Sequence, residues 1–156
     1  MEIVSIILFA QLKHNYYPAE DILFNPTTRQ AIEQLFAKIN QRFEEILGKV
    51  EVQFYVLHWP TKQYVAFTGS DSFPLQHSLV YASQHFHQTI ALTDDKYFAQ
   101  LPEVIALDIK ELLKQHEATH AIPLCRGNEV YGFMFIKSQQ KQLDSTICDL
   151  AKHAGL

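Results

Sequence analysis

The chain has 156 residues, 47% of them hydrophobic and 12% aromatic, enough for one full core and short for two ordinary domains. A formal charge of -4, with acidic and basic residues interspersed, leaves no basic stripe for nucleic acid or anionic lipid. The two cysteines, Cys125 and Cys148, make neither a CxxC pair nor a disulfide framework, which points to a reducing compartment and hence the cytoplasm.

The opening run Met1 to Ala10 is apolar but stops at Gln11, about half the length a membrane helix needs, and it lacks the positive start of a signal peptide. Two readings stay open for it: a strand, or the end of a membrane segment lying upstream. The chain therefore divides into an N-terminal segment, 1–24, assigned to no element, and one domain over 25–156 that makes no membrane contact itself.

Asn25-Pro26-Thr27-Thr28 supplies an N-cap and a first-turn proline, and Gly48 a stop, so a helix is predicted between them. Ile32, Leu35, Phe36, Ile39, Phe43, Ile46 and Leu47 recur at three- and four-residue steps and form one apolar stripe. Val50, Val52, Phe54 and Val56 alternate with their neighbours up to His58, the period of a strand. Trp59-Pro60-Thr61-Lys62 turns the chain into a hairpin partner over 63–68, closed by Gly69-Ser70-Asp71. Pro74 to Gln115 reads as helical in two pieces, with Leu75, Leu79, Ala82 and Phe86 on one face, then Ile105, Ile109, Leu112 and Leu113. Thr89 to Leu101 between them reads as irregular. Thr119 to Leu124 and Glu129 to Ser138 are predicted strands joined at Arg126-Gly127-Asn128. The second has Val130, Met134 and Ile136 on one side and Tyr131, Phe133 and Phe135 on the other, so it belongs in the centre of a sheet covered on both faces. Asp144 or Ser145 then caps a closing helix with Leu143, Ile147, Leu150, Ala151 and Ala154.

The element order suggests an α/β/α sandwich of the PAS or GAF kind. Ala121-Ile122-Pro123-Leu124 followed by Gly127-Asn128-Glu129-Val130-Tyr131-Gly132-Phe133-Met134-Phe135-Ile136 resembles the signature of the GAF family, and 143–154 resembles that family's closing helix. The resemblance implies an α+β fold with a central antiparallel sheet, the first and last helices on one face and the crossover helices roofing a ligand cavity on the other. It also implies a sensory domain of a signalling protein such as a sensor histidine kinase, with any kinase or cyclase activity elsewhere. No bilin-type Cys-His pair and no cyclic-nucleotide motif occurs, so neither ligand nor cofactor is named.

His116-Glu117-Ala118-Thr119-His120 fits the HExxH zinc-protease pattern, which requires both histidines on one unbroken helix. Here 119–124 reads as a strand and Pro123 stands where the helix would continue, so chance is the better reading. His85 and His87 fall at a helix end, where capping the negative terminus outweighs ligation. Cys125 and Cys148 invite comparison with the GAF-like methionine sulfoxide reductases, yet no cationic helix start is at hand to activate a thiol.

Three functional classes follow: a ligand-sensing domain, a dimerisation module without ligand, and a zinc- or thiol-dependent enzyme. The first is preferred, with Phe54, Val56, His58, Tyr64, Tyr81, Phe86 and Met134 as expected ligand-binding residues for an unidentified small molecule. No metal site and no catalytic residue is assigned. A homodimer is expected through 26–47 and 143–156, with Ala31, Phe36 and Phe43 reaching past the stripe toward the second copy.

Overall fold

The computed structural model describes residues 26–48, 50–67 and 69–138. Helix α1, Pro26–Leu47, runs as the stripe dictates and ends at Gly48, whose φ of +77 lets it turn while its N–H bonds to Glu44 O at 2.9 Å. Strand β1, Val50–His58, is followed by a one-turn 3-10 segment at Trp59–Thr61, and β2 is Gln63–Ala66, two residues shorter than expected. The Asn25 cap, Thr68, Cys148 and the closing helix lie outside the described residues.

The crossover is richer than its sequence suggests. Ser72–Pro74 forms β3, Ser78–His85 forms α2, Ile90–Ala91 forms β4, Asp95–Ala99 forms α3 and Glu103–Gln115 forms α4. The stretch read as irregular thus holds a short strand and a short helix, capped by Asp94, whose side chain accepts from Tyr97 N. Strands β5, His120–Arg126, and β6, Glu129–Ser138, close the described chain. Gly127 opens their two-residue connection with φ +61, as a type II′ hairpin turn demands of its first central residue.

All six strands join one antiparallel sheet in the order β3-β2-β1-β6-β5-β4. β6 is central, as its two apolar sides require, and α1 covers one face while α2 to α4 cover the other. This is the layered antiparallel arrangement that the resemblance implied. Leu35, Ile39 and Phe43 of α1 pack on Phe54, Val56, Ile122, Leu124, Met134 and Ile136. Phe36 stacks on Phe54, ring centroids 3.6 Å apart. Neither Phe36 nor the buried Phe43 therefore reaches outward, whereas Ala31 is exposed, beside Gln34, Lys38, Gln41 and Glu45.

Val130 departs from the face assigned to it. Leu124 pairs with Gly132 but Cys125 with Val130, so Tyr131 is an extra residue in β6. A bulge of one residue reverses the side to which the following positions point, and Val130 joins the crossover core. One step on, Gly132 cannot be replaced without movement: a Cβ there would stand 2.3 Å from Tyr55 O. The glycine of the signature is thus a place where β1 and β6 approach too closely for any side chain.

Candidate functional site

Alternation along β1 and β6 decides what the crossover face carries. Glu51, Gln53 and Tyr55 stand on that face of β1, opposite Lys137, Phe135 and Phe133 of β6. Above them α4 ends, and its close supplies His116, Glu117 and Ala118. Together Glu51, Gln53, His116, Glu117, Phe135 and Lys137 line most of an open cleft of about 380 Å³.

The close of α4 shapes this cleft. Glu117 adopts the left-handed conformation, φ 53, and its N–H bonds to Lys114 O at 3.0 Å while Ala118 N–H bonds to Leu113 O at 2.8 Å. These are the two reverse bonds of a Schellman close, which ordinarily takes glycine at the left-handed position. A glutamate is retained there, and its carboxylate accepts from Lys137 Nζ at 2.5 Å. That hydrogen bond holds the Glu117 carboxyl below its ordinary range and raises Lys137.

The turn drops His116 against the core. Its Nδ1 lies 3.0 Å from Tyr55 Oη and 3.9 Å from Asp71 Oδ2, and its ring packs edge-on to Tyr55 and Phe135 at 5.6 and 5.5 Å. Burial, and then the charge of Asp71, push the Tyr55 hydroxyl up to about 12, so it stays a donor at neutral pH. His77 stands nearby at the start of α2, where its Nδ1 accepts the Leu79 N–H at 3.0 Å and its Nε2 lies 3.4 Å from Asp108 Oδ1. An accepting Nδ1 places the ring proton on Nε2, toward Asp108. Burial lowers the His77 pKa, Asp108 opposes that shift, and His116 adds to it.

The residues expected to bind ligand do not converge on this cleft. Phe54, Val56 and Met134 lie on the opposite face, buried under α1. His58 shares that register, and its Nδ1 sits 2.7 Å from Thr61 Oγ1 at the strand end. Tyr64 is fully buried, donating to Val130 O at 2.7 Å, and Phe86 packs on the crossover core. Tyr81 is exposed and stacks against His85. Polar residues at alternate positions of a strand covered on both faces, Glu51 and Gln53, were the available signal for the cleft.

The other motifs also find their places. α4 ends at Gln115, so the helix does break between His116 and His120. His120 is buried opposite Ile136 on the α1 side of the sheet. The two histidines therefore share no face, and among the described residues no group of three or more His, Cys, Asp or Glu could hold a metal ion. His85 Nδ1–H and His87 Nε2–H donate to Tyr81 O and Gln84 O at the end of α2, the capping role expected. Cys125 borders a second hollow of about 410 Å³ beside Pro123, beyond the two residues of β5 that β4 covers. Burial pushes its thiol up to about 11, away from the nucleophilic thiolate. No helix among the described residues is long and apolar enough to cross a membrane.

No family model matches the chain, and no curated protein matches it. Among solved structures it is similar to the GAF domain of a two-component sensor histidine kinase from Bacillus halodurans. The two are 18% identical, with 79% of this chain and 90% of that chain covered and a TM-score of 0.46.

Proposed function

We propose that this chain is a ligand-sensing regulatory domain of the GAF kind, holding a small molecule in the cleft around His116 and passing its presence to the output part of a signalling protein such as a sensor histidine kinase. The observation that carries this reading is the contrast within one sheet. Where β1 and β6 are otherwise covered by carbon, Glu51, Gln53, Phe135 and Lys137 meet the α4 close at a solvent-open hollow, and its imidazole is tied into the core through Tyr55. The lining is mostly polar and charged, with Val52, Ala118 and Phe135 as its apolar part, so a molecule held there is bound by charge-assisted hydrogen bonds against a small apolar wall. The signature at 121–136 supports the same reading.

The route outward runs through the strands. A ligand that moves the cleft end of β1 or β6 moves Phe54, Met134 and Ile136 on the other side, and these support α1. Helix α1 and the helix expected at 143–154 then act together in a homodimer, shifting against their symmetry mates.

A thermal-shift screen of the full chain against a metabolite library tests the reading. A ligand present at about a hundred times its Kd adds about 2.7 kcal/mol of stability. The effect is expected to vanish in His116→Ala and persist in Tyr81→Ala. A library from which nothing stabilises the protein overturns it. Sedimentation of the full chain at several concentrations tests the dimer, which a strictly monomeric species refutes.

A further inference from the structure

We infer that His116 is a fixed hydrogen-bond donor in the cleft and that the molecule recognised is a zwitterion of the amino-acid type, its carboxylate on the His116 and Lys137 side and its ammonium toward Glu51. This rests on the cleft being the ligand site, as proposed above.

The argument begins with which nitrogen of His116 is free. Tyr55 Oη occupies Nδ1, and among the described residues Nε2 has no partner. The Tyr55 side chain is fully buried, and His116 is the only hydrogen-bond partner of its hydroxyl among the described residues. If Nδ1 carried the proton of a neutral ring, the phenol hydrogen would have no acceptor within hydrogen-bond distance among the described residues, Asp71 acting on Tyr55 only through its charge, and a buried unmet donor is costly. Tyr55 therefore donates to Nδ1, and the ring proton sits on Nε2. Protonation of His116 puts a second hydrogen on Nδ1, with Asp71 3.9 Å away, and leaves Nε2–H in place. Both charge states keep a donor at Nε2 of a residue that lines the cleft, and neither offers an acceptor there.

The charges around that donor select the rest of the molecule. Lys137 offers an ammonium beside it, shared with Glu117 in an exposed pair of the kind that costs little to rearrange. Glu51, opposite Lys137 in the β1–β6 register, and Glu117 add two carboxylates, so the lining is acidic by one charge with His116 neutral. A simple anion would meet that excess, whereas a simple cation would leave His116 Nε2–H and Lys137 without an acceptor. A molecule with a carboxylate at one end and an ammonium at the other meets both. Phe135 gives its side chain an apolar wall.

The test has two parts, both on the full chain. Nitrogen-15 NMR of the histidine rings reads the tautomer directly: His116 is expected as Nε2–H when neutral, with the preference lost in Tyr55→Phe, and a neutral Nδ1–H ring overturns the inference. Calorimetry against the twenty standard amino acids, one at a time, is expected to give a binder. Its N-acetylated form and its carboxamide, each lacking one charge, should bind roughly 10- to 100-fold more weakly, the worth of a hydrogen bond to a charged group. Glu51→Gln should weaken the amino acid and not the N-acetylated form. Lys137→Gln, which removes the charge beside the carboxylate, should weaken the amino acid and not its carboxamide, whereas His116→Phe, which keeps a ring against Tyr55 and Phe135, should weaken both, because a carboxamide oxygen still accepts from Nε2–H. No binder among the twenty, or equal binding of either one-charge analogue, overturns the proposed class. A different metabolite seated in the cleft overturns this inference while leaving the sensing function standing, whereas a whole library without a binder removes both.

Discussion

On one face of the sheet, β1, β5 and β6 present Phe54, Val56, Ile122, Leu124, Met134 and Ile136 to Leu35, Ile39 and Phe43 of α1. On the other, intervening positions of the same strands present Tyr55, Phe133 and Phe135 over the crossover core and Glu51, Gln53 and Lys137 at its open end. The α1 face is sealed by one long helix and is almost wholly carbon. The crossover face is roofed by three shorter helices, and where α4 stops the cover stops with it. Side-chain parity thus gives both faces a packed core but puts the polar, open cleft on the crossover face alone, so that a substitution on the α1 face disturbs packing and one on the crossover face can disturb the cleft as well.

The largest expected effects test that separation. Phe43→Ala and Phe135→Ala each empty a buried ring site and should cost on the order of 3–5 kcal/mol in urea unfolding. Only Phe135→Ala should also disturb the His116 environment, because its ring touches Tyr55, Phe73 and His116. If Phe43→Ala shifts the His116 resonances as much, the faces are not independent.

Next comes the contact between strands. Gly132→Ala drives a methyl into Tyr55 O and should cost about 1–3 kcal/mol, as overpacking does. An unchanged urea midpoint would mean that β1 and β6 separate freely.

Acid should act on the crossover face. The folded state lowers the His77 pKa from its ordinary 6.5, so the neutral ring is the form the fold prefers. Its contribution is complete above 6.5 and is lost as pH falls through the lowered folded value. The added proton must go to Nδ1, which then cannot accept the Leu79 N–H, so α2 loses its cap. His77→Asn keeps an N-cap acceptor without titrating and should flatten stability between about pH 7.5 and 5, whereas His77→Ala should cost about 1 kcal/mol at neutral pH. An Asn variant as acid-sensitive as the parent would place the acid response elsewhere.

The smallest effect expected is none. With His116 and His120 on different faces, metal analysis should find no stoichiometric zinc, and chelation should leave the melting temperature unchanged. One tightly held zinc that disappears in His120→Ala would show the two faces acting together.

Much of this was legible in the residues. The 3.6-residue stripe of α1, the alternation in β1 and the apolar sides of β6 are local periodicities, and each produced the element expected of it. The stretch that resembles the GAF signature likewise lies within one hairpin, and its glycine marks a close approach that the register explains. The short β4 and α3 were not legible because elements of two and five residues carry no period, and β3 owes its pairing with β2 to the sheet around it.

The site was legible only in pieces. In the sequence His116 is half of a metal motif, and Phe54, Val56 and His58 share one side of their strand, the side on which a ligand is expected. Periodicity states that two sides of β1 differ; it does not state which helix covers which side. That was decided when α1 took the carbon-rich side and left Glu51, Gln53 and Tyr55 to the crossover helices. It was decided again where α4 ended, because a left-handed Glu117 turns the chain just far enough to set His116 on Tyr55, residues 61 positions apart that no local pattern could bring together.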